Sequence, residues 1–192
     1  MKRGLLWPVV LAVALLLPGC FVGQPLRLGF IGSLSDRGAD LGEAGRNGVI
    51  LAVEQQNLAG GIHGRPIELV VRDDGQNADK AAGAMQSLID ARVEAVVGPF
   101  TSAMAAATVP LANQARLLLV SPMVTSTDFA GKDDFFIRIS RSTREDARDH
   151  AQQLASRQQL RIAVAYDTAN QSFSQSWLAE FRKHYMNASR VR

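Results

Sequence analysis

The chain has 192 residues, 47% of them hydrophobic and 20% charged, with a formal net charge of +3. Of its 21 Lys and Arg, Lys2 and Arg3 sit in the apolar leader and the rest exceed the 18 Asp and Glu by one, so nothing argues for nucleic acid. Cys20 is the single cysteine, which excludes an internal disulfide even in a compartment that would permit one.

The chain opens with Lys2 and Arg3, an apolar run from Leu5 to Leu17, and then Pro18-Gly19-Cys20. This is the layout of a secretory signal over residues 1–19 that ends in a bacterial lipobox, with lipid on Cys20. An uncleaved anchor over Gly4 to Gly23 is the competing reading, weakened by the helix breakers Pro8 and Pro18. In either case the chain beyond Gly23 lies outside the cytoplasmic membrane. From there strands are expected at Leu26 to Gly32, Ile67 to Val71, Ala95 to Val97 and Leu117 to Val120. They alternate with helices at Leu41 to Leu58, Ala78 to Asp90 and Ala103 to Gln114. Apolar strands alternating with helices predict an α/β fold: an open, parallel, doubly wound sheet covered on both faces. Gly42, Gly45 and Gly48 recur every third residue in the first helix and suit close backbone approach to the sheet. Phe135 to Ile139 reads as a short strand, Thr143 to Arg157 as a polar helix with Ala147, Ala151 and Leu154 buried, and Arg161 to Ala165 as a strand. Ser174 to Tyr185 reads as a helix with Trp177, Leu178 and Phe181 inward.

Asn57 to Asp74, NLAGGIHGRPIELVVRDD, joins a helix end at Gly60-Gly61, a second turn at His63-Gly64, and a strand that ends in two aspartates. This stretch resembles the leucine, isoleucine and valine receptors, the type I periplasmic binding proteins that serve ABC importers. Leu26 to Ser35, Val96 to Ser102, Leu117 to Thr125 and Arg161 to Asp167 resemble further strands and loops of that family, in order. The resemblance implies two lobes that close over a ligand. Lobe one would span 25–140, and 141–192 would hold the crossover and the start of a second α/β lobe. Relatives that staple the first lobe do so where this chain has Gly75 to Asn77 and Thr101, which cannot form a disulfide.

Ligands of an open parallel sheet lie beyond the carboxyl ends of its strands. After the third strand, Thr101 and Ser102 open an alanine-rich helix whose amides and dipole suit a carboxylate, although either residue could simply cap the helix. The resemblance assigns carboxylate binding to Ser102. After the fourth strand, Pro122 removes a donor, and the loop offers carbonyls and hydroxyls to an ammonium group. The resemblance assigns that role to Met123, through its backbone, and to Thr125. Leu41 stands where relatives place an aromatic against the ligand, Phe173 would supply an aromatic from the second lobe, and the acidic partner of the ammonium would lie beyond Arg192.

The expected protein is thus an extracytoplasmic receptor, lipid-anchored on the periplasmic side, that binds a branched-chain or related amino acid through its carboxylate and ammonium groups and docks on an ABC permease, with no cofactor. A sensor for amino acids or amides and a truncated non-binding fragment are the alternatives. Enzyme chemistry is not expected: Ser102 with His63, His150 or His184 lacks a GxSxG elbow. Asp73, Asp74 and Asp79 lack the alternation of a calcium loop, and no zinc spacing appears.

Overall fold

The computed structural model describes residues 23–35, 38–157 and 161–185, so the leader and Cys20 lie outside the described residues. Strands β1 (Leu26–Gly32), β2 (Ile67–Asp73), β3 (Ala95–Val97), β4 (Leu118–Ser121) and β5 (Phe136–Arg138) form one sheet in the order β2-β1-β3-β4-β5. All four pairings are parallel, from Leu26 opposite Ile67 at one side to Ser121 opposite Arg138 at the other. Helices α1 (Ala39–Leu58), α2 (Ala78–Asp90) and α3 (Ser102–Ala115) connect the first four strands. The chain steps from β1 to β2 and then back across β1 to β3. Right-handed crossovers therefore place α1 on one face and α2 and α3 on the other, with the switch point between β1 and β3.

The core lies on the side of α2 and α3, where Ile31, Met85, Leu88, Val96, Val109 and Leu119 are buried together. The α1 side is less complete. Leu28, Val97, Phe100 and Pro122 line an open groove of about 540 Å³ beside α1. Leu118 is 37% exposed and Ile137 50% exposed, each alternating along its strand with a buried neighbour, Leu119 or Phe136.

Local sequence explains most boundaries. Gly60 and Gly61 take φ of 99° and 76° at the end of α1, and the Gly61 N–H donates to the Gln56 carbonyl at 2.9 Å. Asn57, which carries no signal of its own in the sequence, fastens that turn to β2. Its amide donates to the Ile67 carbonyl at 2.9 Å and accepts from the Ile67 N–H at 2.7 Å. Gly42 and Gly45 do allow close approach. A Cβ on Gly42 would stand 1.6 Å from the Ser33 carbonyl oxygen, and one on Gly45 2.2 Å from the Phe100 ring. Gly48 departs from the expectation, with nothing within 4 Å of its Cβ position.

Helix α4 (Thr143–Ser156) comes after β5, opened by a capping box between Ser142 and Glu145. It packs on α5 (Gln171–His184) through a second small core of Ala147, Ala151, Phe181 and Tyr185. Trp177, Phe181 and Tyr185 stack along α5, with ring centroids 5.0 and 5.4 Å apart. Two expectations need correction here. Arg161 to Ala165 forms no strand, only a single bridge at Ile162. An extended segment is stabilised by its ladder partners, and no described strand lies beside this one. Helix α5 also begins three residues earlier than expected, because the Asn170 carbonyl accepts from the Ser174 N–H at 3.0 Å and closes the extra turn.

Candidate functional site

At the carboxyl edge of the sheet the loops after β1, β3 and β4 converge, each fixed by side chains that end the strands. Asp73, the last residue of β2, accepts from the Leu34 N–H at 2.7 Å, from the Gly75 N–H at 2.9 Å, and from the Ser35 hydroxyl. Partial burial raises its pKa, but these hydrogen bonds outweigh that and hold the carboxyl below the usual value of 3.8. Asp74, fully buried, shows the reverse. Burial raises it, the Asp73 charge raises it further, and the single Gln76 N–H opposes both too weakly.

Ser121 joins the next two loops. Its buried hydroxyl donates to the Pro99 carbonyl at 2.6 Å and accepts from the Val124 N–H at 3.0 Å. Ser102, at the first position of α3 and 2% exposed, accepts from the N–H groups of Thr125 at 3.4 Å and Ser126 at 3.2 Å. With its lone pairs engaged, the Ser102 hydroxyl keeps its proton to donate, which is what a carboxylate requires. Thr101 is the N-cap, accepting from the Met104 N–H at 3.4 Å. Its hydroxyl also reaches Gln76 at 3.5 Å, a polar contact across the two regions that cannot form a disulfide in this chain.

One amide at this helix start has a partner from a distant part of the sequence: the Ala103 N–H donates to Asn170 Oδ1 at 3.0 Å. Nothing in the sequence pointed to Asn170, though Asn before a helix is a capping signal. Arg138 was equally unforeseen. Its guanidinium donates to the carbonyls of Thr125 at 3.1 Å and Ser126 at 2.8 Å, and burial, the largest influence on it, lowers its pKa. The Thr125 carbonyl also accepts from the Thr143 N–H at 2.8 Å, and the Val124 carbonyl from the Ser140 hydroxyl at 3.0 Å. The carbonyls of Val124, Thr125 and Ser126 are therefore engaged inside the protein. Among the described residues, no hydrogen bond uses the Met123 carbonyl or the Thr125 hydroxyl.

A pocket of about 210 Å³ brings Thr125 and Phe173 together with Ser140, Ser142, Thr143 and Asp146. Ser102, Thr101 and Met123 are not among its lining residues: Ser102 accepts from the Thr125 N–H, and Met123, 44% exposed, lies on the same loop as Thr125. Leu41 is not among the lining residues; it sits half-buried in the first turn of α1, its N–H donating to the Gly38 carbonyl at 3.1 Å. The partners of Ser102 are amides, while His150 faces Asp146 and His184 faces Glu180. No group of three or more metal-ligating side chains occurs among the described residues, nor a helix long and apolar enough to cross a membrane.

Residues 25–189 match the profile of a known family, described as periplasmic binding protein. The chain belongs to that family. Within it, the chain is 24% identical over 107 residues to the leucine-, isoleucine-, valine-, threonine- and alanine-binding protein of Pseudomonas aeruginosa. The match covers 56% of this chain and 29% of that one. The Leu/Ile/Val-binding protein homolog 2 of Brucella abortus is 26% identical over 133 residues, 69% of this chain and 36% of the relative. Among solved structures, the substrate binding protein LivJ of Streptococcus pneumoniae, a branched-chain amino acid transporter component in complex with isoleucine, superposes with a TM-score of 0.77. Its identity is 28%, covering 84% of this chain and 47% of that one. An ABC transporter substrate-binding protein from Desulfitobacterium hafniense in complex with Leu gives 0.71 at 26% identity, covering 88% and 49%. The chain thus spans about half of the solved structures, and its matches span about a third of the curated relatives. These relatives are receptors that bind a substrate and are not enzymes, in agreement with the expectation from sequence.

Proposed function

We propose that this chain is the extracytoplasmic solute-binding component of an ABC importer, binding a branched-chain or related amino acid. The observation that carries the reading is the Ser102 hydroxyl: buried, accepting two amides of the β4 loop, and so turned into a donor at a helix start. The ligand's carboxylate docks on Ser102 and the first amides of α3, beside the cap residue Thr101. Its ammonium group meets the Met123 carbonyl and the Thr125 hydroxyl, and Phe173 covers the side chain. Leu41, in the first turn of α1, borders the mouth of the site. The relatives named for leucine, isoleucine and valine support the choice of ligand class.

In this reading residues 25–140 form the first lobe and 141–192 the crossover and the start of the second. The separate core between α4 and α5 supports that division. The leader is a signal peptide, lipid on Cys20 fixes the receptor to the outer side of the membrane, and the partner is the permease of the importer.

The test is calorimetric titration with leucine, isoleucine, valine and several polar amino acids, on the wild-type chain and S102A. Selective micromolar binding that S102A abolishes supports the reading. A folded chain that binds none of them overturns it.

A further inference from the structure

Arg161 to Asp167, RIAVAYD, has the form of a strand without a sheet. Ile162 and Val164 pack against the core between α4 and α5, whereas Arg161, Ala163 and Ala165 are exposed. That alternation is the period of extended backbone, with one face on the helices and the other in solvent. The single bridge at Ile162 uses one edge of the segment. Among the described residues, no hydrogen bond uses the backbone groups of Ala163, Val164, Ala165 or Tyr166. An open edge of this kind is a template for another strand.

The order of its residues says which strand fits. Paired antiparallel with a second copy of itself about Val164, the segment sets Arg161 opposite Asp167 at both ends. Ile162 then faces Tyr166, Ala163 faces Ala165, and Val164 faces Val164. Opposite charges and an aromatic beside a β-branched residue are both favourable cross-strand pairs. The faces agree as well: Ile162, Val164 and Tyr166 share the helix side, and both charged residues share the solvent side. A parallel pairing would instead set Arg161 beside Arg161 and Asp167 beside Asp167, which disfavours it. Among the described residues neither Arg161 nor Asp167 forms an ion pair, and Asp167 Oδ1 accepts from the Ala169 N–H at 2.9 Å. The helix side also has room for the second copy. An open pocket of about 440 Å³ beside the segment is lined by Val164, Tyr166, Phe173, Trp177 and Leu178, with Tyr166 52% exposed. In the paired register the second copy's Ile162 lies opposite Tyr166 and enters this pocket, and the reverse contact forms on the other copy, as a two-fold interface requires. This burial supplements the ladder, since a bare two-stranded ribbon is marginal in water.

We infer that Arg161 to Asp167 is a docking strand at which two copies of this chain pair about a two-fold axis at Val164. The inference does not rest on the receptor reading. It has a bearing on the candidate site all the same: the paired segment leads directly into Asn170, which holds the Ala103 N–H at 3.0 Å, and Phe173, so pairing fixes the stretch of chain that carries both.

The test is disulfide trapping in the full chain, held in mild detergent and carrying C20S, so that each variant has one cysteine. Residues directly opposite in an antiparallel pair stand about 4.5–5.5 Å apart at Cα, within disulfide reach. C20S/V164C should therefore form a covalent dimer on mild oxidation, seen as a doubled mass on a non-reducing gel. C20S/A163C should not cross-link to itself, because its copies sit two positions out of step, but should cross-link when mixed with C20S/A165C. R161E sets like charges opposite each other and should lower the yield of the V164C dimer about tenfold, and D167K added to it should recover most of that yield. Circular dichroism checks that each variant is folded. If V164C disturbs the fold, the mixed pair at the exposed Ala163 and Ala165 decides alone. No cross-link in folded variants overturns the inference. Equal self-cross-linking at 163 and 164 also overturns it, as the mark of random collision, and so does a yield that R161E leaves unchanged. Each of these outcomes leaves the receptor reading untouched.

Discussion

Alanine at Gly42 and at Gly48, six residues apart on one helix, should change stability in opposite directions. A Cβ at Gly42 would stand 1.6 Å from the Ser33 carbonyl oxygen, where ordinary contact begins near 3.4 Å, so α1 or the β1 loop must retreat by roughly 2 Å. The obstacle is backbone, not a flexible side chain, which puts the cost at the upper end of overpacking, about 3 kcal/mol. Alanine recovers about 1 kcal/mol of helix propensity, leaving a net loss of about 2 kcal/mol. At Gly48 the Cβ position is open, so only the gain remains, about 1 kcal/mol. For a chain of this size 1 kcal/mol moves Tm by about 2–4 °C, so G42A should melt roughly 4–8 °C below wild type and G48A about 2–4 °C above it. Urea titration monitored by circular dichroism checks both, with the midpoint moving and the m-value constant. A G42A protein as stable as wild type would refute the packing argument, and a destabilised G48A would show that the groove beside α1 is more tightly filled than it looks.

Three regions of the site give further expected outcomes. N170A removes the partner of the Ala103 N–H, so stability should fall by about 1 kcal/mol. Ligand affinity should rise up to about fivefold by calorimetry, because Asn170 and a ligand carboxylate compete for the same amide. Asp74 has a raised pKa, so its contribution to stability is complete below 3.8 and is lost as pH rises through the raised value. D74N should therefore be more stable than wild type above the raised pKa and lose that advantage in acid, as read by melts across pH. Asp73 has the opposite sign: its contribution is present above 3.8 and fades as pH falls through the lowered value, so D73N should be less stable than wild type at neutral pH and nearly equal to it in strong acid, as read by the same melts. R138A should loosen the loop at Thr125 and Ser126, read as faster amide exchange there and a severalfold weaker ligand affinity.

The sheet was legible because its signals are local. Apolar runs bounded by Gly60-Gly61 or Pro122 can be placed within a residue or two without knowledge of the neighbours, and β1, α2 and β3 fall where the pattern put them. Arg161 to Ala165 has the same kind of pattern and forms no strand, since a strand depends on partners that composition cannot supply. The site divides in the same way. Loop position drew attention to the residues after β3 and β4, and resemblance assigned roles to Ser102, Met123 and Thr125, whereas Asn170 reaches Ala103 from 67 residues away and Arg138 reaches the Thr125 and Ser126 carbonyls from the edge strand. Such residues carry no periodic signature: an asparagine before a helix and an arginine in an edge strand each have an ordinary local explanation.

The incomplete side of the sheet has a consequence of a different kind. With α2 and α3 covering one face and α1 only part of the other, Leu118, Ile137 and the flanking Ile139 leave apolar side chains open to solvent beside β4 and β5. Exposed apolar surface of this kind favours adsorption of the protein at an air–water boundary. Agitation, more than warming, would be its quickest route out of solution, and a trace of surfactant its simplest protection.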